Sequence, residues 1–364
     1  MIADLDDDAI FSSTANEACL ALPLGNLSQT FSIADPRLAD WLRDRYFRIQ
    51  ASPLGEAGLR NVLATLRARA MCSSRRRPVD VRVIGSTGPD PAIHIDLCNS
   101  RGESVVVTPQ GWRIATVSEV AFRSTRGELT LPLPESTPEA ADSLPDLLNI
   151  DTANWDKLQT WLLAALRPKG PFPVLIIQGP GGSGKSTAAR IIRALLDPVA
   201  APLHPLPSQE GQVMQLAYRN RILAFDHVTR MSNSVADALC RLSTGTCVTI
   251  RLPGHQPPIE LDLARPILIT ANENFKPRPD LARRAITIEL EPLANPQPLD
   301  EVLAKLAQIL PNQLAALYTR LASTLANHTP HPEPPTLTNL ERTTPIVKRV
   351  TPEPPTTNQQ RLRT

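Results

Sequence analysis

Apolar positions along the chain change their spacing several times, and the changes predict where elements begin and end. In "DPRLADWLRDRYFRI", Leu38, Trp41, Leu42 and Arg45 share one helical face, Asp35 is placed to cap it and Pro36 fits its first position. Leu59, Val62, Leu63 and Leu66 repeat at three-to-four spacing in "GEAGLRNVLATLRARA" and predict a second helix. The period then shortens. "VDVRVIG", "AIHIDLCN", "SVVVTPQGWRIAT" and "AFRSTRGELTL" alternate or run β-branched between Gly, Pro and Asn, as short strands do. Residues 36–133 are therefore expected to form a small α+β domain, helical and then a β-meander. Residues 1–35 have little periodicity and predict a mobile acidic arm. Residues 134–150 fall in Pro-, Ser- and Glu-rich sequence that reads as a linker.

From 151 to 327 the pattern alternates between strands and helices. A helix over "WDKLQTWLLAALR", with Asn154 placed to cap it, precedes the apolar run "PVLIIQ". "AARIIRALLD" is helical, "RILAFD" reads as a central strand, and "SVADALCRLSTG" is a helix stopped at Gly245. "CVTIRLPGHQPPIELDL" predicts a hairpin with His255 at its tip. "RPILIT" and "RAITIEL" are further strands, and two helices, "LDEVLAKLAQIL" and "NQLAALYTRLASTLAN", close the region. This order predicts an α/β core around a parallel central sheet. Residues 328–364, rich in Pro, Thr and Glu without a repeating apolar face, predict a disordered tail.

Composition narrows the possibilities only a little. A hydrophobic content of 42% is ordinary for a globular protein, and a net charge of +2 neither requires nor excludes nucleic acid. The five cysteines are scattered without a C-x-x-C pair, which predicts reduced thiols rather than a zinc or disulfide framework. No apolar run approaches a membrane span and the acidic amino terminus is unlike a signal peptide, so a cytoplasmic location is expected. Charge is concentrated at Arg67, Arg69, Arg75, Arg76, Arg77 and Arg82, faced in sequence only by Asp80. Such a cluster could grip DNA phosphates or be a solvated turn. With aromatic content at 4%, no base-stacking platform is evident.

The specific chemistry lies in "GPGGSGKST", residues 179–187, which follows "PVLIIQ" and precedes a helix. It matches G-x-x-x-x-G-K-[ST] in the strand–loop–helix context the motif needs. Gly179, Gly181, Gly182, Ser183 and Gly184 would turn backbone N–H groups onto phosphates, and the helix start adds its positive end. Lys185 would meet the terminal phosphates of ATP, Ser186 would ligate Mg²⁺, and Thr187, directly after the motif, is a further candidate nucleotide contact. Asp226, at the end of "RILAFD", is the candidate second metal acid.

In order, the phosphate loop, the strand ending in Asp226, the helix–Gly–hairpin, the strand ending in "TAN" and Arg283–Arg284 before a strand resemble the superfamily 3 helicase branch of the AAA+ ATPases. "WLLAALRPKGPFPVLIIQGPGGSGKSTAARIIRALLDP", "LAFDHVTRMSNSVADALCRLSTG" and "ARPILITANENFKPRPDLARRAITIELEPL" are similar to bacterial and prophage helicase- or primase-associated ATP-binding proteins. The resemblance implies a P-loop ATPase core acting on DNA, single-stranded DNA included, with a primase or another replication protein as partner. It implies Asn272, with Thr270 beside it, as the polar sensor of the attacking water. It also implies Arg284 as a finger reaching a neighbouring subunit's site in a homo-oligomeric ring, a hexamer first among them, and a pore hairpin carrying Arg251 and His255.

His227 departs from the pattern, which places an acid after Asp226 to polarise water. Glu210 and Asp237 are the nearest candidate replacements in the sequence. Two functions therefore stand: a slow ATPase that works on DNA in the replication of a phage or mobile element, and a nucleotide-gated loader or switch with little or no hydrolysis.

Overall fold

The structure, a computed structural model, describes residues 6–24, 27–86, 92–116, 119–136, 144–250 and 259–327. The tail expected over 328–364 lies outside the described residues.

Over its described residues the expected mobile arm is instead folded. β1 (Ile10–Ser13), β2 (Ala18–Leu24) and β3 (Leu27–Ser32) are antiparallel, and β4 (Arg76–Arg77) joins β1 in parallel. The reason is burial: Ile10, Leu20, Leu22 and Phe31 pack on Leu38 and Leu42 of α1 (Pro36–Gln50) and on Leu59 and Leu66 of α2 (Glu56–Cys72). The Asp35 carboxylate caps α1 by accepting the Arg37 N–H at 2.9 Å, with Pro36 in the first turn.

The short strands β5 (Val79–Asp80) and β10 (Ala121–Phe122) pair in parallel on either side of a meander. The meander runs β6 (Val83–Gly85), β7 (Ile93–Asp96), β8 (Ser104–Thr108) and β9 (Gly111–Ala115) in antiparallel order. It does not close a core of its own. Val83, Ile95, Val105 and Val107 belong to the same buried cluster as Leu175, Ile191 and Tyr318. The expected boundary at 133–134 is thus a continuation of one core, and residues up to Asn327 form one unit. Part of the expected linker is also built in, since Leu144 and Leu148 of α3 (Leu144–Leu148) are buried.

α4 (Thr152–Ala165) is capped by Asp151, whose carboxylate accepts the Asn154 N–H at 2.7 Å; Asn154 itself is not the cap. Beyond it lie β11 (Val174–Gln178), α5 (Lys185–Leu196), α6 (Glu210–Arg219), β12 (Leu223–Val228) and α7 (Asn233–Thr244). The antiparallel hairpin stem β13 (Thr246–Ile250) and β14 (Ile259–Leu263) follows, then β15 (Ile267–Ala271), α8 (Pro279–Ala282) and β16 (Ala285–Glu289). β12, β15, β11 and β16 form a wholly parallel sheet in that order.

Alternate residues of β11 face opposite cores, Leu175 and Ile177 toward α5, Val174 and Ile176 toward α6 and α7. A sheet covered on both faces needs near-continuous apolar runs, which accounts for "VLII" and "ILIT".

The two closing helices are one, α9 (Leu299–Asn327), continuous through Pro311. Proline removes one intrahelical bond, but Leu306, Leu314, Tyr318 and Leu321 keep both halves on the same core face.

Buried ion pairs fasten the amino-terminal elements to the sheet. Arg82 and Arg193 both hold Asp197 at the end of α5, at 3.2 and 3.0 Å. Glu17 binds Arg123 at 2.5 Å and accepts the Tyr218 hydroxyl at 2.6 Å, and Arg265 holds Asp80 at 2.6 Å.

Candidate functional site

β11 is a central strand whose carboxyl end opens into the glycine loop, and α5 starts at Lys185 immediately after it. Gly184 caps α5 with φ +82°, a left-handed backbone that side chains resist. At Gly179, φ is +153° and a Cβ would meet the Leu290 carbonyl oxygen at 2.4 Å, so the loop passes too close to β16's exit for any side chain. The first-turn N–H groups of α5, like those of any helix, have no intrahelical partner, and a helix start directly after a glycine loop can hold an anion.

The Lys185 ammonium donates to the Gly179 and Pro180 carbonyls at 2.8 and 2.5 Å. Partial burial lowers its pKa, with the carboxylates of Glu273 and Asp226 acting in the other direction. The Ser186 hydroxyl donates to Asp226 Oδ1 at 2.9 Å, and the Thr270 hydroxyl donates to the same oxygen. One carboxylate oxygen thus gathers hydroxyls from the loop helix and from the strand between β12 and β11. The Asp226 N–H donates to the His204 carbonyl at 2.9 Å, which pins the carboxylate's backbone from the outer side.

Beside Lys185, Ser186 and Thr270 lies a cavity of about 360 Å³ that Gly182, His227 and Asn272 also help to line. Gly181, Ser183 and Thr187 line it as well. His227 reaches the cavity through a backbone irregularity. The β12–β15 register shifts between Phe225 and Val228, and His227 takes φ +54°. The bulge re-aims its side chain, which is 81% exposed with Nε2 3.5 Å from Asp226 Oδ2.

The two candidate replacement acids are engaged elsewhere. Glu210 is ion-paired to Arg241, and Asp237 lies 2.9 Å from Arg278; neither borders the cavity. An acid not singled out from sequence is Glu273, next to Asn272 at the exit of β15, whose charge acts on Lys185 although it too is absent from the cavity lining. Its position after a strand-end asparagine was the available signal. Thr229, two residues past His227, lines the cavity and was also missed.

Arg284 is exposed, with its guanidinium donating to the Asp280 carbonyl at 2.8 Å. Because Ala285 pairs with Val174, Arg284 enters the sheet at the edge opposite the glycine loop. A five-residue strand separates the two edges by ~16 Å.

The arginine cluster is only partly available. Arg82 is 1% exposed and bonded to Asp197, so it is a core residue and not part of a phosphate-gripping surface. Asp80, held by Arg265, does not face the cluster; Asp7 and Asp8 do, pairing with Arg69 and Arg75. Arg76 is exposed on β4, and the Arg77 guanidinium lies 5.0 Å from the centre of the Phe11 ring. Arg251 and His255 lie outside the described residues. No described helix is long and apolar enough to cross a membrane.

Comparison with known proteins gives a family and several solved structures. The C-terminal region of NrS-1 is 12% identical with a TM-score of 0.45, over 88% of this chain and 71% of that one. A structure described as the active helicase Cch of SCCmec type IV is 15% identical with a TM-score of 0.44, over 88% and 60%. The JCV helicase is 17% identical with a TM-score of 0.32, over 47% and 49%. No curated protein matches the chain significantly. The model of one replication-protein family matches residues 141–338, more than half of the chain, from α3 through the glycine loop and all of the parallel sheet. The chain belongs to the family of actinomycete integrative conjugative element replication proteins.

Proposed function

We propose that this replication protein is a P-loop ATPase of the AAA+, superfamily 3 helicase type, which binds Mg²⁺-ATP and hydrolyses it slowly to act on DNA during replication of its mobile element. The observation that carries this reading is the meeting of Ser186 and Asp226 at 2.9 Å beside Lys185 at the mouth of the glycine loop. The residues fit the ligand. The loop's N–H groups and the start of α5 suit a phosphate chain, and the Ser186 hydroxyl and Asp226 carboxylate are hard oxygen donors of the kind Mg²⁺ takes. When bound, Mg²⁺-ATP supplies the reactive phosphoanhydride and a metal that neutralises charge on it.

The chain's own groups divide the remaining work. Lys185 offers its ammonium to the terminal phosphates in place of the loop carbonyls. Thr270 holds Asp226 in one orientation, and Asn272 and His227 face the space where water would attack. Arg284 stands too far from its own loop to serve it and would act on a neighbouring subunit, in a ring of which a hexamer is the first candidate. Arg75, Arg76 and Arg77, with Arg251 and His255, are the proposed DNA contacts, and a primase or another replication protein is the proposed partner. The setting is cytoplasmic.

A second reading, a nucleotide-gated loader or switch, is favoured by one observation: an exposed imidazole stands where an acid would activate water, while Glu210 and Asp237 are paired elsewhere. ATP turnover with and without single-stranded DNA, beside a sizing measurement with ATP, tests both. Stimulated turnover and ATP-dependent assembly support the motor. Tight binding with negligible turnover supports the switch, and failure to bind ATP removes both.

A further inference from the structure

A second cavity, of about 330 Å³, lies away from the glycine loop, between the start of α1, the 123–126 segment, residues 199–204 and the end of α6. Its wall is apolar where Pro36, Val199, Ala201 and Leu216 contribute. Its rim is cationic, with Arg37, Arg123, Arg126 and Arg219.

The charges around it do not cancel. Asp35 is the one acid among the lining residues, and it is bound to Arg37 at 2.7 Å. Arg123 is 5% exposed and joined to Glu17, yet its Nε has no hydrogen-bond partner. Arg126 and Arg219 are exposed and engage no acid among the described residues. Two uncompensated guanidiniums on one rim are suited to bidentate recognition of a phosphate. An inorganic anion would leave the apolar wall unused, whereas a flat nucleobase would cover it. A volume of this size is at the lower end for small-molecule sites and admits one nucleotide, not a polymer running through.

We propose that this cleft binds a nucleoside 5′-monophosphate group, with the phosphate on Arg126 and Arg219 and the base against the Val199–Ala201 and Leu216 wall. The group can come from a free nucleotide or from the 5′-phosphorylated end of a DNA strand. Both carry the same chemistry.

The test uses the full chain carrying Lys185→Ala, which removes the glycine loop as a competing phosphate site. AMP and a short 5′-phosphorylated single-stranded oligonucleotide are titrated separately, with the unphosphorylated oligonucleotide as control. Saturable binding of either phosphorylated probe is expected, and Arg126→Glu with Arg219→Glu should weaken it at least ten-fold. These side chains are exposed, so the melting temperature should not move. Ala201→Trp, an exposed position on the wall, should weaken binding by filling the base subsite without altering rim charge. Binding of AMP alone identifies a free nucleotide, and binding of the oligonucleotide alone identifies a strand end. No saturable binding of either probe, equal binding of the unphosphorylated control, or affinity unchanged in both variants would overturn the proposal.

Discussion

The Thr270 hydroxyl accepts the backbone N–H of His227 at 3.0 Å while donating its own proton to Asp226. One buried side chain on β15 therefore fixes both the bulge that turns His227 outward and the carboxylate beside it. Thr270→Val keeps the shape and removes both bonds. We expect ATP turnover to fall at least ten-fold with ATP affinity changed less than three-fold, and Thr270→Ser to restore most of it. The loss of stability should be about 1–3 kcal/mol, since a buried N–H and a carboxylate lose a partner. Wild-type turnover in Thr270→Val would disconnect the bulge from hydrolysis.

At φ +54°, His227 carries a backbone strain of roughly 1–2 kcal/mol that glycine would not. His227→Gly should therefore fold as well as the parent or better, and His227→Val should melt lower. His227→Glu places a carboxylate over the cavity and should raise ATP turnover several-fold, because general-base catalysis is typically worth ~10²–10⁴-fold. Unchanged turnover in both His227→Glu and His227→Ala would move the search for a base to Glu273.

Two glycines of the loop should respond oppositely to alanine. At Gly179 an added Cβ would meet the Leu290 carbonyl at 2.4 Å, and at Gly181 nothing lies within 4 Å. Gly179→Ala should abolish ATP binding and lower the melting temperature, while Gly181→Ala should leave both nearly unchanged. Equal behaviour of the two variants would mean that the loop rearranges around Gly179.

That loop was legible from sequence because strand, glycines and helix are consecutive and the chemistry is local. The amino-terminal sheet was not. "IFSS" is too short to show a period, and its parallel partner β4 begins at Arg76, beyond two helices. Arg82 looked like one more exposed arginine, since the carboxylate that makes it a core residue is 115 positions away. His227 could be seen to be unusual but not how it is held, because its left-handed conformation depends on a hydroxyl 43 residues later. The expected break near Pro311 failed for a similar reason, the packing of both helix halves on one core outweighing a local rule.

Asp197 should govern acid stability. Burial alone would raise its pKa, but Arg193 and Arg82 outweigh that and hold it below the usual aspartate value. A carboxylate whose folded pKa is depressed contributes stability above its unfolded pKa of ~3.9 and loses it as pH falls toward the folded value. Asp197→Asn should destabilise the protein by about 3–5 kcal/mol at neutral pH, since it leaves buried guanidiniums uncompensated. It should also flatten the stability profile below about pH 4. Thermal melts between pH 3 and 7 measure both effects, and a variant with parental stability at pH 7 would show that the two guanidiniums do not depend on the Asp197 charge.

Arg284→Ala should bind ATP as the parent does and fail to hydrolyse it, since a group supplied from a neighbouring subunit acts on the transition state. Mixing Arg284→Ala with Lys185→Ala chains should recover part of the turnover at shared interfaces. No recovery at any ratio, together with a monomeric parent, would remove the ring.

The Arg82–Asp197 pair also sets an order on the chain as it is made. Synthesis at roughly 5–20 residues per second delivers Asp197 on the order of ten seconds after Arg82. Glu17 likewise leaves the ribosome 106 residues before Arg123 and 201 before Tyr218. Through that interval Glu17, in the turn between β1 and β2, and Arg82, just before β6, are charges whose partners do not yet exist, and burying them would cost more than it gains. The β1–β2 turn and the Arg82 segment can therefore close only after α6 and the end of α5 have been translated, so that two stretches made early are among the last to be buried.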